Sequence, residues 1–237
     1  MYAAASGMAA QQTNLEIIAD NLANADVAGF KGAAASFTDV NAGGTLGLGT
    51  AVLGRHPVLD QGKLMKSGGP FDVAIDGTGF FRVDKHGAAA YTRAGEFTRS
   101  ADGRLRNADG WALHGVRLPA DALSATVGRD GRIFVDTTSA KHRAAGRIVL
   151  AAFPAPERLR PLGGTLFAQT FESGNPQRLE PSEGTSTIAF GMLEKSNVSI
   201  VESMMQILTA QRAYEANAKG VQAADEMLRI ANNLHRS

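Results

Sequence analysis

The chain has 237 residues, of which 44% are hydrophobic, 20% charged and 6% aromatic, enough for one or two domains with a core of their own. It holds no cysteine, which excludes a disulfide scaffold, a thiolate metal centre and a thiol nucleophile. Lys and Arg number 24 against 23 Asp and Glu, a net charge of +1, with no basic stripe of the kind that follows a nucleic-acid backbone.

Residues 1–25 read as a helix. Met1, Met8, Leu15 and Leu22 recur at every seventh position, and Ala4, Gln11, Ile18 and Ala25 follow each by three, the a/d pattern of a coiled coil. Alanine is abundant and proline absent, and Asn24, Asp26 and Gly29 mark the end. The segment has neither a basic leader nor a strongly apolar stretch, so a cleaved secretory signal is not expected. No apolar run anywhere approaches the ~18–20 residues that span a bilayer, and membrane insertion is not expected. Residues 41–50, rich in glycine, read as a flexible connection.

The middle of the chain changes in kind. Residues 71–75 partly alternate apolar and polar side chains, and Phe80-Phe81-Arg82-Val83 follows the turn Asp76-Gly77-Thr78-Gly79. Asp102-Gly103, Asp109-Gly110 and Asp130-Gly131 are further turn signals, the last followed by Ile133-Phe134-Val135. Residues 147–153 form one apolar run stopped by Pro154. Short strands joined by Asp-Gly turns point to an antiparallel β domain. Residues 180–185 read as a second connection.

Residues 198–236 read as a second, longer helix, with its N-cap at Ser196 or Asn197. Ile200, Ile207, Tyr214, Val221 and Leu228 lie seven apart, with Ser203, Ala210, Asn217, Ala224 and Ala231 as the companion series. The fold class expected is therefore α+β: N- and C-terminal helices paired as a coiled coil around an inserted, mainly antiparallel β domain. The divisions are 1–40 for the N-terminal helix and linker, 41–190 for the β-rich domain and 191–237 for the C-terminal helix. The longer helix leaves part of its seam uncovered within one chain, which calls for assembly.

No catalytic constellation stands out. The five histidines, His56, His86, His114, His142 and His235, have no metal-ligand spacing. Gly77-Thr78-Gly79 runs on into a strand instead of a phosphate-binding helix. Glu194, Glu202, Glu215, Asp225 and Glu226 alternate with Lys195, Arg212, Lys219 and Arg229, which reads as a solvated helix face. Catalytic residues, cofactors and metals are accordingly not expected, and Met8, Met204, Met205 and Met227 fit a seam or an adaptable interface.

Three separate motifs carry a resemblance. Residues 14–25 (Asn14-Leu15-Glu16-Ile17-Ile18-Ala19-Asp20-Asn21-Leu22-Ala23-Asn24-Ala25), followed by Gly29-Phe30-Lys31, resemble the N-terminal signature of the flagellar axial proteins: rod, hook and hook-associated. Residues 71–83 and Tyr91-Thr92-Arg93-Ala94-Gly95-Glu96-Phe97 resemble the β domain of the rod and hook group. Gly191-Met192-Leu193-Glu194-Lys195-Ser196-Asn197-Val198 and Gln211-Arg212-Ala213-Tyr214-Glu215-Ala216-Asn217 complete the pattern. Within the family the chain is most similar to rod proteins of the FlgF/FlgG type. Residues 118–124 and 128–131 resemble the distal member, while the stretch after Val40 is shorter than in that member, and both types stay open.

The resemblance implies a structural subunit of the basal-body rod, a helical homopolymer forming the drive shaft between motor and hook. It implies other rod and hook proteins and the flagellar type III export apparatus as partners, and a periplasmic place in the basal body reached without a cleaved signal. Met8, Leu15, Ile18 and Leu22 are then expected to meet Ile200, Ile207, Tyr214, Val221 and Leu228, within or between subunits, as the assembly interface. The alternatives are a hook-type axial component and a coiled-coil adaptor. A wall-cutting enzyme would need a catalytic carboxylate in a cleft, where the central acids read as turn residues.

Overall fold

The computed structural model describes residues 2–39, 49–138, 140–182 and 186–234. Most of the 41–50 connection and the end of the 180–185 connection lie outside the described residues. Two helices, α1 (Tyr2–Ala23) and α2 (Ile200–Leu234), bracket a series of short strands, an α+β architecture. The chain divides into two compact units. One gathers the described parts of 1–25, 32–58 and 198–237, and the other those of 26–31 and 59–197.

In the helical unit α1 packs against α2 and against a hairpin of Ala33–Asp39 with Thr50–Pro57. The hairpin is antiparallel, with Ala33 opposite Pro57 and a bulge after Ser36. The sequence reading counted its second strand with the central part; here it lies with the helices. Asn21 fastens the hairpin to α1. Its side-chain amide donates to the Ala33 carbonyl and its oxygen accepts the Ala33 N–H, both at 2.8 Å, so one side chain imitates a strand neighbour. Arg55 pairs with Asp20 at 2.5 Å close by.

The start of α2 differs from expectation. Ser199 is the cap: its hydroxyl accepts the Glu202 N–H at 3.4 Å and its carbonyl accepts the Ser203 N–H at 2.9 Å. Ser196 and Asn197 precede it in non-helical chain, and Asn197 donates its side-chain amide to the Asp60 carbonyl at 3.1 Å. The Ser199-Ile200-Val201-Glu202 spacing is that of a capping box, and it sets the start of the helix beyond Ser196 and Asn197.

In the β-rich unit every described strand pair is antiparallel. Its main sheet runs Arg160–Gly163, Leu166–Ala168, Ala88–Thr92, Phe80–Lys85, Ala112–Leu113, Leu105–Arg106, Thr98–Arg99, with Leu150–Ala152 and Gln177–Leu179 branching from Phe80–Lys85. A second sheet holds Ala122–Val127, Arg132–Thr137 and Arg143–Arg147, and two strand pairs join Val73–Gly77 to Ser186–Phe190 and Leu64–Lys66 to Met192–Glu194. The three Asp-Gly turns share one geometry. Ser100, Asn107 and Gly128 carbonyls accept the N–H of Gly103, Gly110 and Gly131 at 2.9, 3.0 and 2.9 Å, and the glycines sit at φ 79°, 80° and 78°, where a side chain is strained.

The run 147–153 is two strand segments instead of one. Arg143–Arg147 closes the second sheet, its pairing with Arg132–Thr137 running on to the Ile148 N–H on the Gly131 carbonyl at 2.8 Å, and Leu150–Ala152 pairs with Phe80–Lys85 in the main one. The core between these layers buries Phe81, Phe97, Ile75, Ile133, Ile148 and Ile188, with Phe81 and Phe97 edge to face at 5.8 Å. A satellite cluster gathers Phe80, Tyr91, Phe153 and Phe167.

Candidate functional site

Two places carry the functional argument: the faces of the helices, and a buried charge cluster in the β-rich unit. The helices run antiparallel. Gly7 faces Asn217 so closely that an added Cβ would lie 3.0 Å from its Nδ2, while Gln11, Asn14 and Ile18 share a groove with Val201, Met205 and Ala210.

On α2 the covered face is made of small residues, while α1 also buries Ile17 and Ile18. Ala10, Ser203 and Ala210 are buried, with Asn217 and Ala224 half-buried. The four on α2 are members of its companion series, and the small size of Ala10, Ser203 and Ala210 lets the backbones approach. Of the expected interface residues, Ile18 is buried and Met8, Leu15, Leu22, Ile207 and Val221 are half-buried. Ile200, Tyr214 and Leu228 are exposed at 43%, 41% and 49%.

Beside them stands a row of large apolar side chains that the described residues leave largely open. Val201, Met204, Met205 and Leu208 are all more than half exposed, and so are Met227 and Ile230 further along. With 35 residues against 22, α2 outruns α1, and every residue from Asp225 to Ile230 is exposed. The periodicity pointed to this helix but could not say which of its two series the partner helix would take.

The charge cluster overturns one expectation. Glu194 does not sit on a solvated helix face: it ends the strand Met192–Glu194 ahead of α2 and is 1% exposed. Its Oε1 accepts Lys31 Nζ at 2.5 Å and the Gly62 N–H at 2.9 Å, and Oε2 accepts Arg93 Nη1 at 3.4 Å. Lys31 Nζ also donates to the Asp60 carbonyl at 2.6 Å, and Arg93 Nη2 to the Gly77 carbonyl at 2.9 Å. The Arg93 guanidinium lies over the Phe80 ring, 5.4 Å from its centroid. Burial lowers the Lys31 pKa from its ordinary value against the opposing pull of Glu194, and Arg93 is lowered for the same reason. The carboxylate thereby fastens Lys31, Gly62 and Arg93 around one buried charge.

Elsewhere one trio has the residue types of a hydrolase. Ser124 Oγ donates to Asp136 Oδ2 at 3.1 Å, and His142 Nδ1 lies 3.6 Å from Asp136 Oδ1. Here the carboxylate stands in the middle and takes the serine proton donor itself. Nucleophile activation needs the imidazole between serine and acid. The Asp136 carboxyl is held below its usual range, first by the backbone N–H of His142 and then by Ser124. The surface turn is thereby fastened, with His142 stacked on Phe134 at 5.7 Å.

Comparison with known proteins agrees with this division of features. Residues 1–31 match the family model of the flagella basal body rod protein, residues 74–135 that of the flagellar hook protein FlgE/F/G D1 domain, and residues 190–234 that of the flagellar basal body rod FlgEFG protein C-terminal. The flagellar basal-body rod protein FlgG of Agrobacterium fabrum is 37% identical over 252 residues, covering 97% of this chain and 96% of that one. FlgG of Borreliella burgdorferi is 37% identical over 260 residues, covering 100% and 98%. The flagellar hook protein FlgE of Salmonella typhimurium is 40% identical over 125 residues, 52% of this chain and 30% of that protein. Identity sustained from end to end, across the helices and the β-rich unit alike, makes this chain a member of the flagellar basal-body rod proteins and a structural subunit of that rod.

Proposed function

We propose that this subunit polymerises helically through its terminal helices, forming part of the drive shaft between motor and hook. In this reading α1 and α2 form a coiled-coil layer with those of neighbouring copies, through Met8, Leu15, Ile18, Leu22, Ile200, Ile207, Tyr214, Val221 and Leu228. The parts 1–40 and 191–237 carry assembly, and 41–190 is the β-rich part between them. The observation that carries the reading is the outward apolar row on α2, Val201, Met204, Met205 and Leu208, which the described residues of the same unit leave more than half exposed. Burying one such side chain contributes roughly 1.5–3 kcal/mol, so a few of them per contact suffice for many weak, repeated junctions. A contact that does not close on itself extends into a filament.

The protein acts here as a building element and not as an enzyme. Its partners are further copies of itself, other rod and hook proteins, and the type III export apparatus that delivers it to the periplasm without a cleaved signal. Its rod type follows that of its full-length relatives, which are named FlgG. Deleting residues 1–25 or 210–237 tests the reading. Loss of motility and of the tagged chain from isolated basal bodies is expected, and Leu15→Asp or Tyr214→Asp should act likewise by placing a charge in the seam. A truncated chain that still entered basal bodies would overturn it.

A further inference from the structure

We propose that the Lys31–Glu194–Arg93 cluster is a clasp that holds the two ends of the chain together whether or not the terminal helices are paired. Lys31 follows α1 and Glu194 precedes α2, yet they are 163 residues apart in sequence and in direct contact. Every bond of the clasp described above is made within residues 26–31 and 59–197. None of its donors or acceptors lies on either helix.

The surrounding backbone reinforces it. The Glu194 carbonyl accepts the Gly29 N–H at 2.7 Å, and the Lys195 N–H reaches the Lys63 carbonyl at 2.9 Å. Strand Met192–Glu194 pairs with Leu64–Lys66. Two glycines permit the approach. A Cβ on Gly29, at φ +70°, would lie 2.2 Å from Ala94 N, and one on Gly62 would lie 1.9 Å from the Lys195 carbonyl oxygen. The carboxylate has two cations and a backbone N–H, and removing any partner leaves a buried charge short of compensation.

The consequence concerns assembly. Bringing residues 31 and 194 together closes a long loop, and folding of the β-rich unit meets that entropy once. Thereafter α1 and α2 remain tethered through short covalent segments. Pairing of these helices with each other or with a neighbouring copy then starts from a high effective concentration instead of a search by two free chain ends. The inference rests on the assembly reading only for this last step.

Native-state hydrogen exchange on the full-length chain tests it. Reporters are the Gly29 and Gly62 amides for the clasp, Ile148 and Ile188 for the β-rich core, and the amides of residues 207–217 for α2. Ala210→Asp, which places a charge in the covered helix face, should strip protection from α2 and leave Gly29 and Gly62 unchanged. Glu194→Gln should accelerate exchange at Gly29 and Gly62 by about 100-fold or more. Should Glu194→Gln unfold the chain outright, Lys31→Met keeps the aliphatic stem and should loosen Gly29 and Gly62 while Ile148 and Ile188 stay protected.

Loss of clasp protection together with α2 in Ala210→Asp would overturn the proposal. So would retained protection of Gly29 and Gly62 in Glu194→Gln, or a uniform loss at all four amides in Lys31→Met. Failure of the assembly reading is a separate result: it would appear as normal entry of the Ala210→Asp chain into basal bodies, whatever the exchange rates.

Discussion

The two units use their largest apolar side chains in opposite ways. In the β-rich unit big residues are the most hidden: Phe81, Ile75 and Val83 are 0% exposed and Phe97 2%. On α2 the small residues are hidden and the big ones stand out, with Ala210 at 3% and Ser203 at 5% against Val201 at 69% and Met205 at 64%. One unit satisfies most of its hydrophobic surface within the chain, with Phe171 and Leu162 as exposed exceptions. The other satisfies only enough to hold two helices and a hairpin together, and leaves the rest for contact with something else. For a part that is built into a shaft, this separates the request to fold from the request to assemble.

The strongest way to break the contrast is to damage the satisfied unit. Phe81→Ala removes a ring packed edge to face on Phe97, and should cost about 3–5 kcal/mol. Trp111, the chain's one tryptophan, packs against the same core, so its fluorescence during urea unfolding reads that unit. A smaller effect is expected from Ala210→Leu, which overfills the close helix contact for about 1–3 kcal/mol. Helical ellipticity should melt earlier while the Trp111 transition stays in place. Equal shifts of both signals would mean that the two units unfold as one.

What could be seen in the sequence was mostly local. The helices follow from their periodicity, and the Asp-Gly hairpins from a turn whose glycine must take positive φ, as Gly103, Gly110 and Gly131 do. The apolar run 147–153 was legible as strand but not as two strands, because its division depends on which distant strands its two ends pair with, Arg132–Thr137 for one and Phe80–Lys85 for the other. Glu194 was misplaced for the same reason. Its alternation with lysine mimics a helix face, and only the arrival of Lys31 and Arg93 from far away makes it a buried anchor. On α2 both heptad series were visible, and tertiary packing chose the small one for the inner contact. That left Ile200, Tyr214 and Leu228 outside.

The exposed row offers a test in which monomer stability hardly moves. Met205→Asp replaces a side chain that is 64% exposed, so the monomer should stay within about 0.5 kcal/mol of its original stability. Incorporation of the tagged chain into basal bodies should nevertheless be lost, because the new carboxylate would have to be buried in the junction. A Met205→Asp chain that assembled normally would detach this row from the assembly reading.

The smallest expected effect contrasts a surface ion pair with the buried clasp. Arg106 Nη2 donates to Asp102 Oδ2 at 2.9 Å across a hairpin turn, and the Arg104 backbone N–H reaches Asp102 Oδ1 at 3.2 Å. Together, with Arg106 the larger cause, they hold the Asp102 pKa down to about 2. An unfolded aspartate titrates near 3.9, so the folded value is the lower one. The stabilisation is therefore complete at neutral pH, begins to fade below about pH 4 and is gone once pH falls through about 2. Arg106→Ala should raise the Asp102 pKa toward the ordinary range, read by NMR titration of its carboxyl carbon, with little change in stability at neutral pH because the pair is open to water. If Asp102 still titrated near 2 in that variant, the Arg104 backbone N–H and the Ser100 side chain would be the cause, and the contrast would narrow to one between a buried clasp and a turn held by its own neighbours.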